Sequence, residues 1–215
     1  RAINDLRFNR TAFGIMSGTG RRNAAISYQM APTRFFVLDP YPIVGPVLRF
    51  LPPEFAHRLA IHALRLGLAP ADTDEPDPIL ACEQMGLKFT NPIGLSAGCD
   101  KDAEVMDAAL RVGFGFSEAG TVTPLPQPGN PKPRLFRLPE DRAVINRLGF
   151  NSGGLARFVG RFARRDRNNS IGLAGANVGR NKLTDEDHAI ADFEIGIEAL
   201  ADLADYLVIN ISSPN

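Results

Sequence analysis

Cysteine is scarce: Cys82 and Cys99 are the only two in 215 residues. They have neither metal-ligand spacing nor the pattern of a disulfide framework, so no bridge is expected and a reducing compartment is the natural setting. An excess of charge of either sign is missing as well. Lys and Arg number 24, as do Asp and Glu, giving a formal net charge of +0. A nucleic-acid footprint, which usually needs a strong basic excess, is therefore not expected. No apolar run approaches the roughly 18 residues needed to span a bilayer. What is present is an ordinary globular composition, 44% hydrophobic and 22% charged, in a chain long enough to bury a full core.

Residues 1–34 lack a clear period and carry six arginines (Arg1, Arg7, Arg10, Arg21, Arg22, Arg34) against the single acid Asp5. Such a segment reads either as an organelle transit peptide or as sequence upstream of a start at Met30. The second reading is favoured because no clean amphipathic helix is present, and neither makes the segment part of the fold. Residues 35–70 read as a small helical domain. Tyr41 to Leu51 is apolar on most sides, Pro52-Pro53 breaks the chain, and Pro53 suits the start of a second helix. In that second helix Phe55, Leu59, His62 and Leu66 share one face, and Ile61, Leu64 and Leu68 another. That is more apolar surface than one contact covers. It points to a hydrophobic pocket, to a membrane-surface contact, or simply to packing on the following domain. Residues 71–78 are a polar, Pro-rich linker.

From residue 79 to 215 strand-like and helix-like segments alternate. Leu87–Thr90, Pro92–Ser96, Gly115–Ala119, Ile171–Ala176 and Tyr206–Ile209 read as strands. Ala103–Val112, Leu155–Ala163 and Asp187–Ala204 read as helices, the last with Ile190, Phe193, Ile197, Leu200 and Ala204 at helical spacing. Such alternation implies an α/β fold with a parallel sheet, and the last four strands with three helices amount to the first half of a (β/α)8 TIM barrel. Each of those four strands empties into small or hydrogen-bonding residues: Ser96-Ala97-Gly98 with Asp100 and Lys101; Gly120-Thr121; Asn177 and Gly179; Asn210, Ser213 and Asn215. In a barrel these ends converge on the face where active sites are built. Neutral amides and hydroxyls suit a heteroaromatic ligand with several carbonyl and ring-nitrogen edges, and Lys101 adds one positive charge.

A long insertion, Pro124 to Phe150, follows the second of these strands. Arg134–Leu138 alternates like a hairpin strand, and a long ordered loop at the site face is more often functional than decorative. Ser96-Ala-Gly-Cys-Asp-Lys-Asp102, Gly120-Thr-Val-Thr-Pro124, Pro126-Gln-Pro-Gly-Asn-Pro-Lys-Pro-Arg-Leu-Phe-Arg-Leu138, Asn146-Arg-Leu-Gly-Phe-Asn151 and Asn210-Ile-Ser-Ser-Pro-Asn215 together resemble the quinone-dependent (class 2) dihydroorotate dehydrogenases. The resemblance runs from about residue 40 to the last residue.

It implies an FMN enzyme on a β/α barrel that oxidises dihydroorotate to orotate in pyrimidine synthesis and passes the electrons to ubiquinone. By position, Ser96, Ala97, Gly98, Cys99, Asp100, Thr121, Asn177 and Asn210 are implied at the FMN. Lys101, Asn146, Arg147, Leu148, Gly149, Phe150, Asn210 and Asn215 are implied at the orotate. Ser213 is implied as the catalytic base, which would need a water or hydroxyl relay because serine is a poor base at its normal pKa. The helices before residue 70 are implied to line a quinone tunnel, with His57 and Arg137 near the quinone head group and the pair resting on a membrane. The cytoplasmic face of a bacterial inner membrane is the implied location, with the mitochondrial inner membrane as the alternative. No metal is implied. His62 and His188 read as structural or solvent-facing.

Two positions depart from the family pattern or ask for a reading of their own. Arg180 stands where the family often has Lys, which keeps charge but changes donor geometry. Cys99 reads as a small buried hydrophobe. Because only half a barrel is present, the chain is expected to be part of a larger protein, with the flavin-phosphate turns elsewhere. A soluble class 1 enzyme, which uses a cysteine base, and a non-catalytic flavin-binding half-barrel are the alternatives. Ser213 and the helices at 41–68 argue against the first.

Overall fold

The computed structural model describes residues 40–167 and 170–212. The extension 1–34, together with Ser213 and Asn215, lies outside the described residues. Prolines set the first two helices. Pro42 and Pro53 occupy first-turn positions, where a missing N–H costs nothing and a fixed φ suits the helix. Helices α1 (Tyr41–Phe50) and α2 (Pro53–Arg65) follow. Helix α2 buries Ile61 against Val105 and Ala108, with Leu64 and Cys99 alongside. Its Phe55 and Leu59 are exposed, as are Leu66 just past its end and Ile43, Val47 and Phe50 of α1.

A small antiparallel hairpin comes next, β1 (Cys82–Gln84) paired with β2 (Leu87–Phe89). Its turn residues Met85 and Gly86 both have positive φ, 53° and 78°, which matches the twist of a tight hairpin. Strand β1 escapes the sequence reading because methionine is not a usual left-handed turn residue.

The main sheet is parallel, in the order β3-β4-β7-β8: β3 (Gly94–Leu95), β4 (Phe116–Val122), β7 (Leu173–Val178) and β8 (Tyr206–Ile209). Helices α3 (Met106–Arg111), α4 (Leu155–Phe162) and α5 (Ala189–Leu200) lie on the connections, and a second hairpin, β5 (Leu135–Leu138) with β6 (Ala143–Asn146), interrupts the one between β4 and α4. This is the expected α/β half-barrel. Alternation along each strand, reset in β4 by a register shift between Gly120 and Val122, separates two faces. The helix-facing side buries Ala119, Val122, Ala174, Ala176 and Val178 against Phe158, Phe162 and Leu200. On the inner face small and large residues interlock: a Cβ on Gly94 would collide with the Phe116 ring, and one on Gly175 with the Tyr206 ring. Those rings meet edge-on, centroids 6.4 Å apart, as in the layered filling of a barrel.

Several boundaries differ from the sequence reading, each for a local reason. Helix α3 begins at Met106 rather than Ala103, because Asp100 accepts the N–H groups of Glu104 and Val105 (both 2.7 Å) and Ala103 turns through φ 55°. Strand β4 runs on through Gly120 and Thr121, which the sequence had placed after it. Strand β7 likewise carries Asn177 within its length. Helix α5 ends at Leu200, with turns taking the chain to Ala204.

Candidate active site

The C-terminal ends of β4, β7 and β8 carry one connected hydrogen-bond chain. The amide of Asn210 donates to Thr121 Oγ1 (2.9 Å), whose hydroxyl donates to Asn177 Oδ1 (2.7 Å). The Asn177 amide then donates to Glu118 Oε1 (2.8 Å). Three of the residues expected at the cofactor thus sit in a single layer. Glu118, one step deeper on the same strand face as Gly120, was not singled out by the sequence reading. Its signal is the alternation along β4, which puts an acid on the inner face two residues before the glycine.

The loop after β3 is pinned beside that layer. Gly98 N–H donates to Gly120 O and Gly120 N–H to Asp100 O, both 2.8 Å. Gly98 has φ +102° and open space where a Cβ would stand, so a flat ligand can lie against bare backbone. Ser96 is exposed, and Ala97 and Cys99 are half-buried. Burial raises both the Cys99 thiol and the Asp100 carboxyl above their ordinary values, in line with Cys99 acting as a small hydrophobe. Both Asp100 oxygens face the start of α3, which makes it the residue that anchors this loop rather than one turned toward a ligand.

A cavity of about 250 Å³ opens between this loop, α2 and the β5–β6 hairpin, and Lys101, His57, Asn146 and Leu148 line it. Burial, and then the Arg134 charge, lower the Lys101 ammonium below its ordinary value. His57 is held low by burial and next by Arg58 and Lys101, against a backbone hydrogen bond with Cys99 that favours the charged ring. At neutral pH its imidazole is therefore uncharged.

The run 146–151 is held from behind. Asn130 donates to Arg147 O (3.0 Å), Gln127 donates to Phe150 O (2.9 Å), and Asn146 Oδ1 accepts the Leu148 N–H (3.0 Å). Gly149 has φ +72°, and any Cβ would run into Asn130. Phe150 lies near Gly179 at the end of β7. Arg147 turns outward, donating to Pro133 O (3.0 Å) and stacking 5.8 Å from the Phe136 ring centroid. It does not join the other residues at the cavity.

Arg137 is also committed elsewhere. Its guanidinium donates to the carbonyls of Leu51 (2.7 Å), Arg49 (3.1 Å) and Leu48 (3.2 Å), satisfying the C-terminus of α1. It does not line the cavity with His57.

Arginine clamps not anticipated from the sequence hold α2 in place. Arg134, only 6% exposed, forks onto Glu54 and donates to Pro128 O (2.6 Å) and Asn130 O (3.0 Å). Glu104, with 3% of its side chain exposed, receives Arg58 (2.7 Å), Arg161 (3.6 Å) and Arg65 (3.7 Å). These partners lie far apart in sequence, so no local pattern announces them. Among the described residues no group of three or more His, Cys, Asp or Glu could hold a metal, and no helix is long and apolar enough to cross a membrane.

Parallel strands whose ends converge on a polar layer beside a loop of bare backbone define a small-molecule site of the β/α-barrel kind. A family model described as dihydroorotate dehydrogenase matches residues 79–215, and the chain belongs to that family. It is 54% identical over 178 residues to the dihydroorotate dehydrogenase (quinone) of Azorhizobium caulinodans, covering 83% of this chain and 49% of that protein. With the protein of the same name from Xanthobacter autotrophicus it shares 56% over 179 residues, covering 83% and 50%. The crystal structure of ligand-free type DHODH from Eimeria tenella superposes with a TM-score of 0.71 at 45% identity, covering 76% of this chain and 46% of that one. The chain spans about half the length of the curated relatives it matches.

Proposed function

We propose that this chain forms the N-terminal portion of a quinone-dependent dihydroorotate dehydrogenase, which oxidises (S)-dihydroorotate to orotate with FMN as hydride acceptor and ubiquinone as final acceptor. The observation that carries the reading is the cavity where Lys101, Asn146 and the α2 residue His57 meet, next to the amide and hydroxyl layer on β4, β7 and β8. The names of relatives 54–56% identical to it support the same reaction and the quinone.

The donor set fits a flavin. Thr121, Asn177 and Asn210 keep unused N–H and lone-pair capacity after their mutual bonds, and Gly98 leaves room for a ring. Ser96, Ala97, Gly98, Thr121, Asn177 and Asn210 would hold FMN, which supplies a two-electron acceptor. Lys101 would meet the carboxylate or a ring carbonyl of the substrate, its charge made more effective by partial burial. Asn146 and the backbone around Leu148 and Gly149 would read the pyrimidine edges, joined by Asn215. Ser213 would take the ring-carbon proton and hand it to a water or hydroxyl relay.

The exposed apolar residues of α1 and α2 would form the quinone side and rest on a membrane surface. A bacterial inner membrane, on its cytoplasmic face, fits the bacterial origin of the relatives. His57, lining the cavity from α2, would meet the quinone head group with its ring. Arg137 would act there indirectly, by fixing the end of α1.

The experiment is a pair of binding titrations on the full-length protein. FMN should bind, and orotate should then perturb the flavin absorbance. Lys101→Ala should keep FMN and weaken orotate by on the order of 10–100-fold, the worth of a charge-assisted hydrogen bond. Orotate binding unchanged by Lys101→Ala would refute the substrate assignment.

A further inference from the structure

We propose that Glu118 is a positioning residue that fixes the direction of every hydrogen bond in the strand-end layer, and so decides which groups Asn177 and Asn210 turn toward the flavin; this rests on the functional reading above. Glu118 lies on the inner face of β4, paired in register with Gly175 of β7 and two residues short of Asn177. It is the last member of the chain running Asn210, Thr121, Asn177, Glu118.

A carboxylate accepts and does not donate. Its neighbour must therefore present the NH2 end of the Asn177 amide, which turns Asn177 Oδ1 toward Thr121. That oxygen is an acceptor, so the Thr121 hydroxyl spends its one proton there. Thr121 then has only lone pairs left for Asn210, which must offer its own NH2. The Asn210 oxygen is thereby left to the Ser212 N–H, which it accepts at 3.0 Å. One acceptor at the end settles the orientation of two amides and one hydroxyl on three strands. Without it, only the exposed Ser212 N–H at the far end, which can turn to water, still opposes the chain running in the opposite direction. The ligand would then meet carbonyl oxygens where N–H donors should be, and the reverse. Glu118 touches no ligand in this scheme.

Glu118→Gln keeps size and shape and removes only the acceptor-only character. In the full-length protein it should melt with the wild type. It should also split or shift the side-chain amide NMR signals of both Asn177 and Asn210, assigned through Asn177→Asp and Asn210→Asp, and weaken FMN by about 3–30-fold. The double variant Glu118→Gln with Asn177→Asp moves the carboxylate one step along. The introduced glutamine amide and the Thr121 hydroxyl then both donate to position 177, and Asn210 again has one orientation, so its amide should return to a single wild-type-like signal. An Asn210 signal unchanged in Glu118→Gln, or unrescued in the double variant, overturns the proposal. Absence of FMN binding by the wild type would instead sink the functional reading, while the amide signals would still decide the role of Glu118.

Discussion

Arg134→Ala is expected to destabilise the fold strongly although it lies outside the ligand layer. The guanidinium is almost wholly buried, forked onto Glu54 of α2, and bonded to two backbone carbonyls, Pro128 and Asn130. Breaking one side of a buried pair costs about 3–5 kcal/mol, because the abandoned charge stays desolvated. Glu54 keeps 25% of its side chain exposed and Lys132 lies 3.5 Å away, so water and a second cation recover part of that. The two carbonyls add roughly 1 kcal/mol each if left without donors. A net loss of about 2–4 kcal/mol follows, about 1.4 of which is a factor of ten in the folding equilibrium. Arg134→Lys keeps the charge but not the fork and should lose about half as much.

The assay is urea unfolding followed at several pH values. The hydrogen bond from Arg134, and then its charge, hold the Glu54 carboxyl below its ordinary value, outweighing burial. A depressed carboxyl contributes stability that is full above its ordinary pKa and lost as the pH falls through the lowered one. The difference between wild type and Arg134→Ala should therefore be constant at neutral pH and shrink in acid. A loss below about 0.5 kcal/mol, within the usual range of surface changes, or one that grows in acid, would refute the reasoning.

Other outcomes can be checked alongside. Ser213→Ala should keep FMN but slow flavin reduction by dihydroorotate by on the order of 10²–10⁴, the usual worth of a positioned base; stopped-flow reduction at the wild-type rate would remove Ser213 from that role. Replacing the exposed Phe50 and Phe55 with Ser should leave the melting temperature and flavin reduction near wild type while raising the KM for a long-tailed quinone, and an unchanged KM would detach the quinone from this face. Gly175→Ala would push a methyl into the Tyr206 ring and should destabilise by about 1–3 kcal/mol, the usual cost of overpacking; Tyr206→Phe in the same background should not restore it, since the collision is with the ring.

How far the fold was legible follows from where its information lies. Strand β8 was read at its true bounds because Tyr206–Ile209 is an unbroken apolar run closed by Asn210. Helices α1, α2 and α4 were legible from proline punctuation and apolar period. Helix α3 was overextended because its first residues look helical, while its start is decided by the distant side-chain geometry of Asp100. Strands β1 and β6 were missed: three and four exposed residues respectively, they are fixed by partner strands rather than by a buried face of their own. At the site, residue types and strand ends placed Thr121, Asn177 and Asn210 in one layer. Arg137 and Arg147 carry a charge that sequence assigns to a ligand and tertiary structure assigns to backbone carbonyls. Nothing short of the fold reveals such a choice, because an arginine's partner is set by which carbonyls come within reach.

The central claim is that the layer on β4, β7 and β8 serves dihydroorotate through a flavin, while α1 and α2 serve a quinone. Anaerobic mixing of the purified full-length protein with dihydroorotate, then with ubiquinone, tests both halves in one cuvette. Bleaching of a bound flavin by dihydroorotate and its recovery on adding the quinone is the expected result. A protein that binds no flavin, or whose flavin is untouched by dihydroorotate, would contradict it.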